Sequence, residues 1–411
     1  MKTLFKGGIN QIGGNAVIVK GDHTRLLIDA GIAVTGDTCS VADLLNVDAV
    51  LLSHAHLDHY GQLTNLPENI PVFCSELTWR LIQATTVFSG KNPLKRQVTS
   101  LRNYEEISIG DLSVTPYPMD HSAPDSMSFL IRDSNKKIFY TGDFRSHGRR
   151  KKCFERLLAN PPRNVDALLI EGTMLGREPE ATPNEFEVEI RISDILTENN
   201  GIPFFLIAAS QNIDRIVSCY KAAVGCGRIF VVDIYTAWIL RQFRLGNSRS
   251  GIPDIDWGKV KVIANGATAS RHYGILKKYP EIFGAFTREL YIPQNRITLD
   301  EIARKPERFF IKTSFAKTIT KTCAMKRYGL IYSLWPGYLQ DNAEISELRQ
   351  VENCVFELVH AGGHALPGDI RYLIGAIKPQ ITVPVHTEAA EHLKNIVDNV
   401  KIVAVNSELE L

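Results

Sequence analysis

The feature that most constrains this chain is a recurrence. Short apolar runs each stop at a histidine or a carboxylate. Asp48–Ser53 runs into His54-Ala55-His56-Leu57-Asp58-His59, and Leu112–Pro116 leads to Asp120-His121. Lys137–Thr141 leads to Gly142-Asp143, Ala167–Ile170 to Glu171, and Ile381–Val385 to His386. Runs of this length and texture read as buried strands. Open α/β sheets hold their ligands just past the ends of such strands. The first residues add a hairpin, Asn15–Lys20 and Arg25–Asp29, turned at Gly21-Asp22 and preceded by the turn-forming pair Gly13-Gly14.

The middle of the chain has a different texture. Strands are expected at Pro203–Ile207, Arg228–Asp233, Lys259–Ile263, Phe309–Lys312 and Leu330–Leu334, and helices at Asn212–Val224 and Thr236–Phe243. Strand–helix alternation predicts a parallel sheet with helices on both faces. This second domain is expected at residues 178–345, entered through the Pro/Glu-rich Arg177–Pro183 and left near Asp341–Glu352.

Composition narrows the class. At 411 residues the chain is long enough for two or three domains. With 44% apolar and 22% charged residues it is not wholly disordered. No run approaches the roughly 18–20 apolar residues of a membrane span, so no membrane partner is expected. The start, Met1–Gly7, lacks the apolar stretch of a secretory signal. Seven scattered cysteines without a C-x-x-C pair point to a reducing, cytoplasmic setting rather than to disulfides or a cysteine zinc site. Arg228–Gln340 holds 19 Lys/Arg against 8 Asp/Glu, or +11, leaving −9 for the rest. Such asymmetry fits a polyanion partner, although charge alone fits a solvated basic face as well.

Eleven histidines are present, and three crowd into six residues beside Asp58. In extended chain His54, His56 and Asp58 share a side. His54 and His56 can therefore chelate one metal, while Asp58 and His59 turn to a second close by. Imidazole with carboxylate suits zinc, and also manganese or iron. His121, Asp143 and His386 gain weight because each ends a strand as the cluster does, and because two metals need more than four ligands. His23, His147, His272 and His392 have no such context and are read as structural or surface residues.

These segments, in this order, resemble the metallo-β-lactamase-fold nucleases with an inserted β-CASP domain, the group of ribonuclease J and the cleavage-and-polyadenylation endonuclease. Leu27-Ile28-Asp29-Ala30-Gly31 is similar to the family's first motif, and His54–His59 to its H-x-H-x-D-H signature. His121 and Asp143 stand at the third and fourth motifs. Glu171, His364 (in His360-Ala361-Gly362-Gly363-His364) and His386 stand at motifs A, B and C. The resemblance implies an αββα sandwich from residues 1–177 and 346–411, with the β-CASP domain inserted at 178–345. It implies two zinc ions, or manganese, one held by His54, His56 and His121. Asp58, His59 and His386 would hold the other, with Asp143 bridging. His364 would be the general acid or transition-state stabiliser, and Glu171 would orient a site histidine. Histidine at motif C goes with RNA-processing members. Gly362 stands where serine is usual in ribonuclease J-like members, and the chain stops at Leu411 without their extra C-terminal domain.

The implied activity is a metal-dependent ribonuclease. Two metals would lower the pKa of a shared water and so supply hydroxide for in-line attack on an RNA phosphodiester, internally or from a 5′ end. The expected partner is single-stranded RNA; oligomeric state is left open. Ser210, Asn212 and Arg215, at the start of a helix, and His360 are the candidate substrate contacts. For the first three the alternative is an ordinary N-cap by Ser210 with Arg215 on the surface. Trp335 and Tyr338 are candidates for base stacking, or Trp335 for domain core. The competing functions are a metallo-hydrolase of small esters or thioesters, for which the basic insertion is superfluous, and a non-catalytic RNA-binding member. With every ligand position filled, no decay of the site is visible.

Overall fold

The computed structural model describes residues 1–178, 184–246, 251–339 and 342–411. Residues 179–183 of the expected entry segment, and Asp341 of the expected exit, lie outside the described residues. The chain divides into two compact units: Met1–Gln83, Asn92–Glu178 and Gly363–Leu411 form the first, and Ala84–Lys91 with Pro179–Gly362 the second.

The first unit contains two sheets. One has the spatial order Glu408–Glu410, Lys2–Gly7, Ala16–Lys20, Arg25–Ile28, Ala49–Leu51, Val72–Cys74, Val98–Ser100. The expected hairpin is there, with Val17 opposite Ile28 and Lys20 opposite Arg25. The other sheet has the order Ile381–Val385, Ala167–Glu171, Lys137–Tyr140, Met127–Arg132, Leu112–Pro118, Ile107–Ile109. Strand alternation sorts its side chains. Ile138 and Tyr140 enter a core shared with Phe5, Val17, Leu26 and Leu51 of the other sheet. Phe139, between them, faces Phe154, Leu157, Ile370 and Leu373 from the helices Lys152–Ala159 and Pro367–Ile377. This is the expected sandwich, with helices covering its outer face. Pro384 cannot donate to a ladder, and its strand lies at the sheet's edge, where that is tolerated.

Strand direction explains why the reactive residues meet. Lys137–Tyr140, Ala167–Glu171 and Ile381–Val385 run parallel. Leu112–Pro118 is antiparallel to Met127–Arg132, which is antiparallel to Lys137–Tyr140, so it shares their direction. All four therefore end at one edge, carrying His121, Asp143, Glu171 and His386. Arg25–Ile28 and Ala49–Leu51 are also parallel, so Asp29 and His54 leave the first sheet together.

The second unit is built on a seven-stranded parallel sheet in the order Arg296–Ile297, Val260–Ile263, Ile229–Val232, Phe309–Lys312, Phe204–Ile207, Tyr328–Tyr332, Cys354–Leu358. Its last strand lies beyond residue 345, where the sequence placed the end of this domain. Cys354–Leu358 pairs along its length with Tyr328–Tyr332, and the unit continues to Gly362. As an edge strand it is only half-buried, so its apolar signature in the sequence is weak.

Candidate metal centre

The cluster begins where Ala49–Leu51 ends. His56 keeps extended backbone, and Leu57–Tyr60 closes into one helical turn. His54 and His56 therefore stay on one side, as extended chain predicts, while Asp58 and His59 are carried around to another. Gly31 makes room for that turn, since a Cβ there would lie 1.7 Å from the Asp58 carbonyl oxygen.

Two groups of donors result. His54 Nε2 and His121 Nε2 each lie 3.2 Å from His56 Nδ1. One ring nitrogen cannot donate to both neighbours, so these contacts are not a hydrogen-bond network. They are close to the ~3.3 Å edge of a tetrahedron with 2.0–2.1 Å bonds to a central ion. In the second group His386 Nε2 lies 3.1 Å from Asp58 Oδ2, and His59 Nε2 lies 3.1 Å from Asp143 Oδ2. Asp143 Oδ2 stands between the groups, 3.8 Å from both His54 and His121 and 3.9 Å from His386. Its other oxygen, Oδ1, is buried and has no hydrogen-bond partner among the described residues. A buried carboxylate oxygen without a donor is costly, and a cation would satisfy it. The donor set thus fits two transition-metal ions.

The remaining ring nitrogens are fixed from behind. His121 Nδ1 donates to the Gly363 carbonyl at 2.5 Å, and His386 Nδ1 donates to Thr173 Oγ1 at 2.7 Å. His54 Nδ1 donates to Ser53 Oγ at 3.0 Å, and His59 Nδ1 to Asp29 Oδ2 at 2.7 Å. Each bond turns the opposite nitrogen's lone pair toward the cluster, as metal-binding histidines require. Asp29 also accepts from Ser53 N and Oγ and from Tyr140 Oη.

Protonation follows this geometry. Burial keeps His54 and His121 neutral and lowers the His56 pKa to about 4. Burial works against charge on His59 as well, but Asp143, Asp29 and Asp58 outweigh it and raise its pKa. For Asp58 and Asp143 burial favours the neutral form, and the surrounding histidines outweigh it, holding both carboxyls below the ordinary range.

His364 adjoins both groups, lying near donors of His121, Asp143 and His386. Glu171 Oε1 lies 3.3 Å from its Nδ1, and Asp143 Oδ2 lies 3.7 Å from it. Burial opposes its charge, yet Glu171 and Asp143 raise its pKa to about 9. Glu171 itself is fixed by backbone N–H groups of Phe144, Ala365 and Thr173.

The candidate substrate contacts belong to the second unit, and most are occupied there. Arg215 is not on the surface: it is fully buried, donating to both oxygens of Glu185 and to Ser333 and Ala361. A guanidinium so committed is a structural brace rather than a phosphate contact. The helix Ile213–Gly225 is capped by Asn212, whose Oδ1 accepts from Arg215 N, and not by Ser210. Ser210 bonds Thr236 and Lys312, and His360 Nδ1 lies 3.3 Å from the Ser333 carbonyl. Trp335 is 38% exposed and meets Tyr338 edge-on at 5.1 Å, so it is not core. The sequence reading gave Asp29 a place in a motif but no task, although it too ends a buried strand. Ser53, Tyr140 and Thr173 offered no signal.

Residues 24–191 match the family described as Beta-lactamase superfamily domain. Ribonuclease J of Sinorhizobium meliloti is 24% identical over 421 residues, covering 93% of this chain and 68% of its own. The RNase J-like protein of Methanocaldococcus jannaschii is 31% identical over 253 residues, 56% of this chain and 57% of its own. Ribonuclease J2 of Bacillus subtilis is 22% identical over 408 residues, with 94% and 69% covered. A crystal structure of a protein of unknown function from Enterococcus faecalis V583 superposes with a TM-score of 0.79 at 20% identity, covering 100% of this chain and 99% of the other. That last likeness speaks for the fold alone. The domain match, the order of the strand-end residues and the relatives aligned along most of the sequence agree: residues 24–191 carry a beta-lactamase superfamily domain, and the chain is similar along most of its length to ribonuclease J proteins.

Proposed function

We infer that this protein is a metal-dependent ribonuclease that hydrolyses RNA phosphodiester bonds. The observation that carries the reading is Asp143. Its Oδ2 lies within 4 Å of nitrogens from both donor groups, and its Oδ1 is buried and unmet. His54, His56 and His121 would hold one ion; Asp58, His59 and His386 would hold the other. Two such ions, when bound, supply a nucleophile at neutral pH and neutralise charge developing on a phosphoryl group. Zinc suits the three-imidazole set best, with manganese the alternative.

The protein's own part is proton handling and orientation. With a pKa of about 9, His364 carries a proton at neutral pH and can pass it to the leaving 3′-oxygen. Glu171, held by three backbone N–H groups, keeps the His364 Nδ1 proton and leaves the rest of the ring to the substrate. RNA as the polymer is supported by the names of the relatives and by histidine at position 386. A single strand is supported by the basic excess in the second unit. Arg228 and Lys312 are buried, and Arg241 and Arg244 pair with Asp254. Exposed residues such as Lys277, Lys278, Lys326 and Arg327 remain to meet phosphates.

The test is incubation of RNA labelled at either end, bearing a 5′-monophosphate or 5′-triphosphate, with Zn²⁺ or Mn²⁺. Cleavage leaving 5′-phosphate and 3′-hydroxyl ends is expected, abolished by chelator. Binding should weaken with salt at a log–log slope of roughly −0.7 per phosphate neutralised. Salt-independent behaviour, with turnover of small esters only, would defeat the reading.

A further inference from the structure

The second unit holds a cavity that the metal chemistry does not use. It lies at the carboxyl ends of the parallel strands and has a volume of about 440 Å³. It shares Asp233, His272 and Phe315 with a narrower hollow of about 40 Å³. The position is where open parallel sheets take ligands, and the larger volume falls within the roughly 300–1,000 Å³ of small-molecule sites.

His272 is the residue that asks for an occupant. It is 5% exposed, yet its Nδ1 has no hydrogen-bond partner among the described residues. Phe88 meets its ring edge-on at 4.8 Å. Burial lowers its pKa, so the ring is neutral and offers one donor and one acceptor. Asp233 is also buried. Its Oδ1 accepts from Thr236 N and Oγ1, whereas Oδ2 has only Lys312 Nζ, at 3.3 Å. Asp233, with an oxygen that has room for another donor, thus lines the same space. Phe88, Tyr235 and Phe315 give the wall aromatic faces, and the exposed Arg271 supplies positive charge. The narrow hollow reaches the start of the helix Ala267–Lys278, whose N-cap Gly266 brings no side chain to satisfy the first N–H groups.

We propose that this cavity binds a nucleoside monophosphate, its base against the aromatic walls with an edge on Asp233 and His272, and its phosphate toward Arg271. All these residues belong to the second unit and none to the metal centre, so the proposal goes beyond the ribonuclease reading and stands without it.

Calorimetric titration of the full, metal-loaded chain with AMP, GMP, CMP and UMP tests it, with adenosine and inorganic phosphate as partial probes. At least one nucleotide should bind one to one. Its nucleoside should bind about tenfold more weakly, and phosphate alone more weakly still. His272→Phe and Asp233→Asn should each weaken nucleotide binding at least about tenfold, while His56→Ala leaves it unchanged. Binding lost in His56→Ala but kept in His272→Phe would move the nucleotide to the metal centre and overturn the proposal. So would the absence of binding by all four nucleotides at millimolar concentration. Should His272→Phe not fold, ¹⁵N-imidazole spectra of the wild type serve instead: the His272 resonance must shift on addition of nucleotide, and an unmoved resonance refutes the site.

Discussion

Both units gather charged side chains at the carboxyl ends of their strands, and they treat them differently. In the second unit the charges close on themselves. Arg215 meets Glu185, Lys312 meets Asp233, and each pair is buried with its hydrogen bonds mostly filled. In the first unit three neutral imidazoles turn their nitrogens toward one another, and a buried carboxylate oxygen has no donor. A balanced cluster holds a fold. An unbalanced one, kept rigid by Asp29, Ser53, Thr173 and the Gly363 carbonyl, is prepared for something that arrives from outside.

The contrast is broken most severely by Asp143→Ala, which removes the oxygen standing between the donor groups. Metal analysis should fall from about two ions per chain to one or none. RNA cleavage should drop beyond the ~10⁴ that a single acid–base residue contributes. Full metal with full activity would take Asp143 out of the site. Next comes His364→Ala, for which metal content and RNA affinity stay near wild type while turnover falls by about 10²–10⁴. Loss of one metal equivalent in that variant would instead make His364 a ligand.

Arg215→Ala tests the balanced side. It leaves Glu185 buried and uncompensated, so denaturant unfolding should show a loss of about 3–5 kcal/mol, with metal content of the folded protein unchanged. The double change Arg215→Met, Glu185→Leu should recover much of that loss; a double variant as weak as the single one would mean the charges matter in themselves. Asp29→Asn sits lower in the order. It touches no proposed ion, yet chelator competition should reveal metal affinity weakened about 10–100-fold, and an unchanged affinity would reduce Asp29 to a packing role.

The smallest effect is one of pH. Burial favours the neutral form of Asp233, and Lys312 with Thr236 outweighs it, so its pKa lies below the ordinary value. The sign follows from that depression. Its contribution to stability is complete above the unfolded value of about 3.9 and is lost as pH falls through the folded one. Asp233→Asn should therefore be less stable at pH 7 and lose less on acidification. Parallel acid limbs in urea titrations of the two proteins would count against the pairing.

What was legible in the sequence depended on range. Every proposed metal ligand stands within the eight residues that follow a strand, so position exposed the whole set, and the family resemblance supplied the pairing into two groups. Arg215 was misplaced because its partners lie 30, 118 and 146 residues away, and nothing local marks a buried arginine. Cys354–Leu358 was missed because a half-buried edge strand shows little apolar contrast. His272 was read as a structural or surface residue. Its want of a partner is visible only when the strands that surround it are in place.

The contact between His386 and Asp58 spans 328 residues. During synthesis the three-imidazole group is complete once His121 has been made, whereas the second group must wait for His386 and for the left-handed turn (φ +53°) that aims it. Between those two moments the ribosome produces all of the second unit except Ala84–Lys91. The ligands of one half are thus made early, while the Gly363 carbonyl that orients His121 and the half that completes the proposed hydrolytic site both come late. A protein that cuts RNA would in this way stay inert while still attached to the RNA that encodes it.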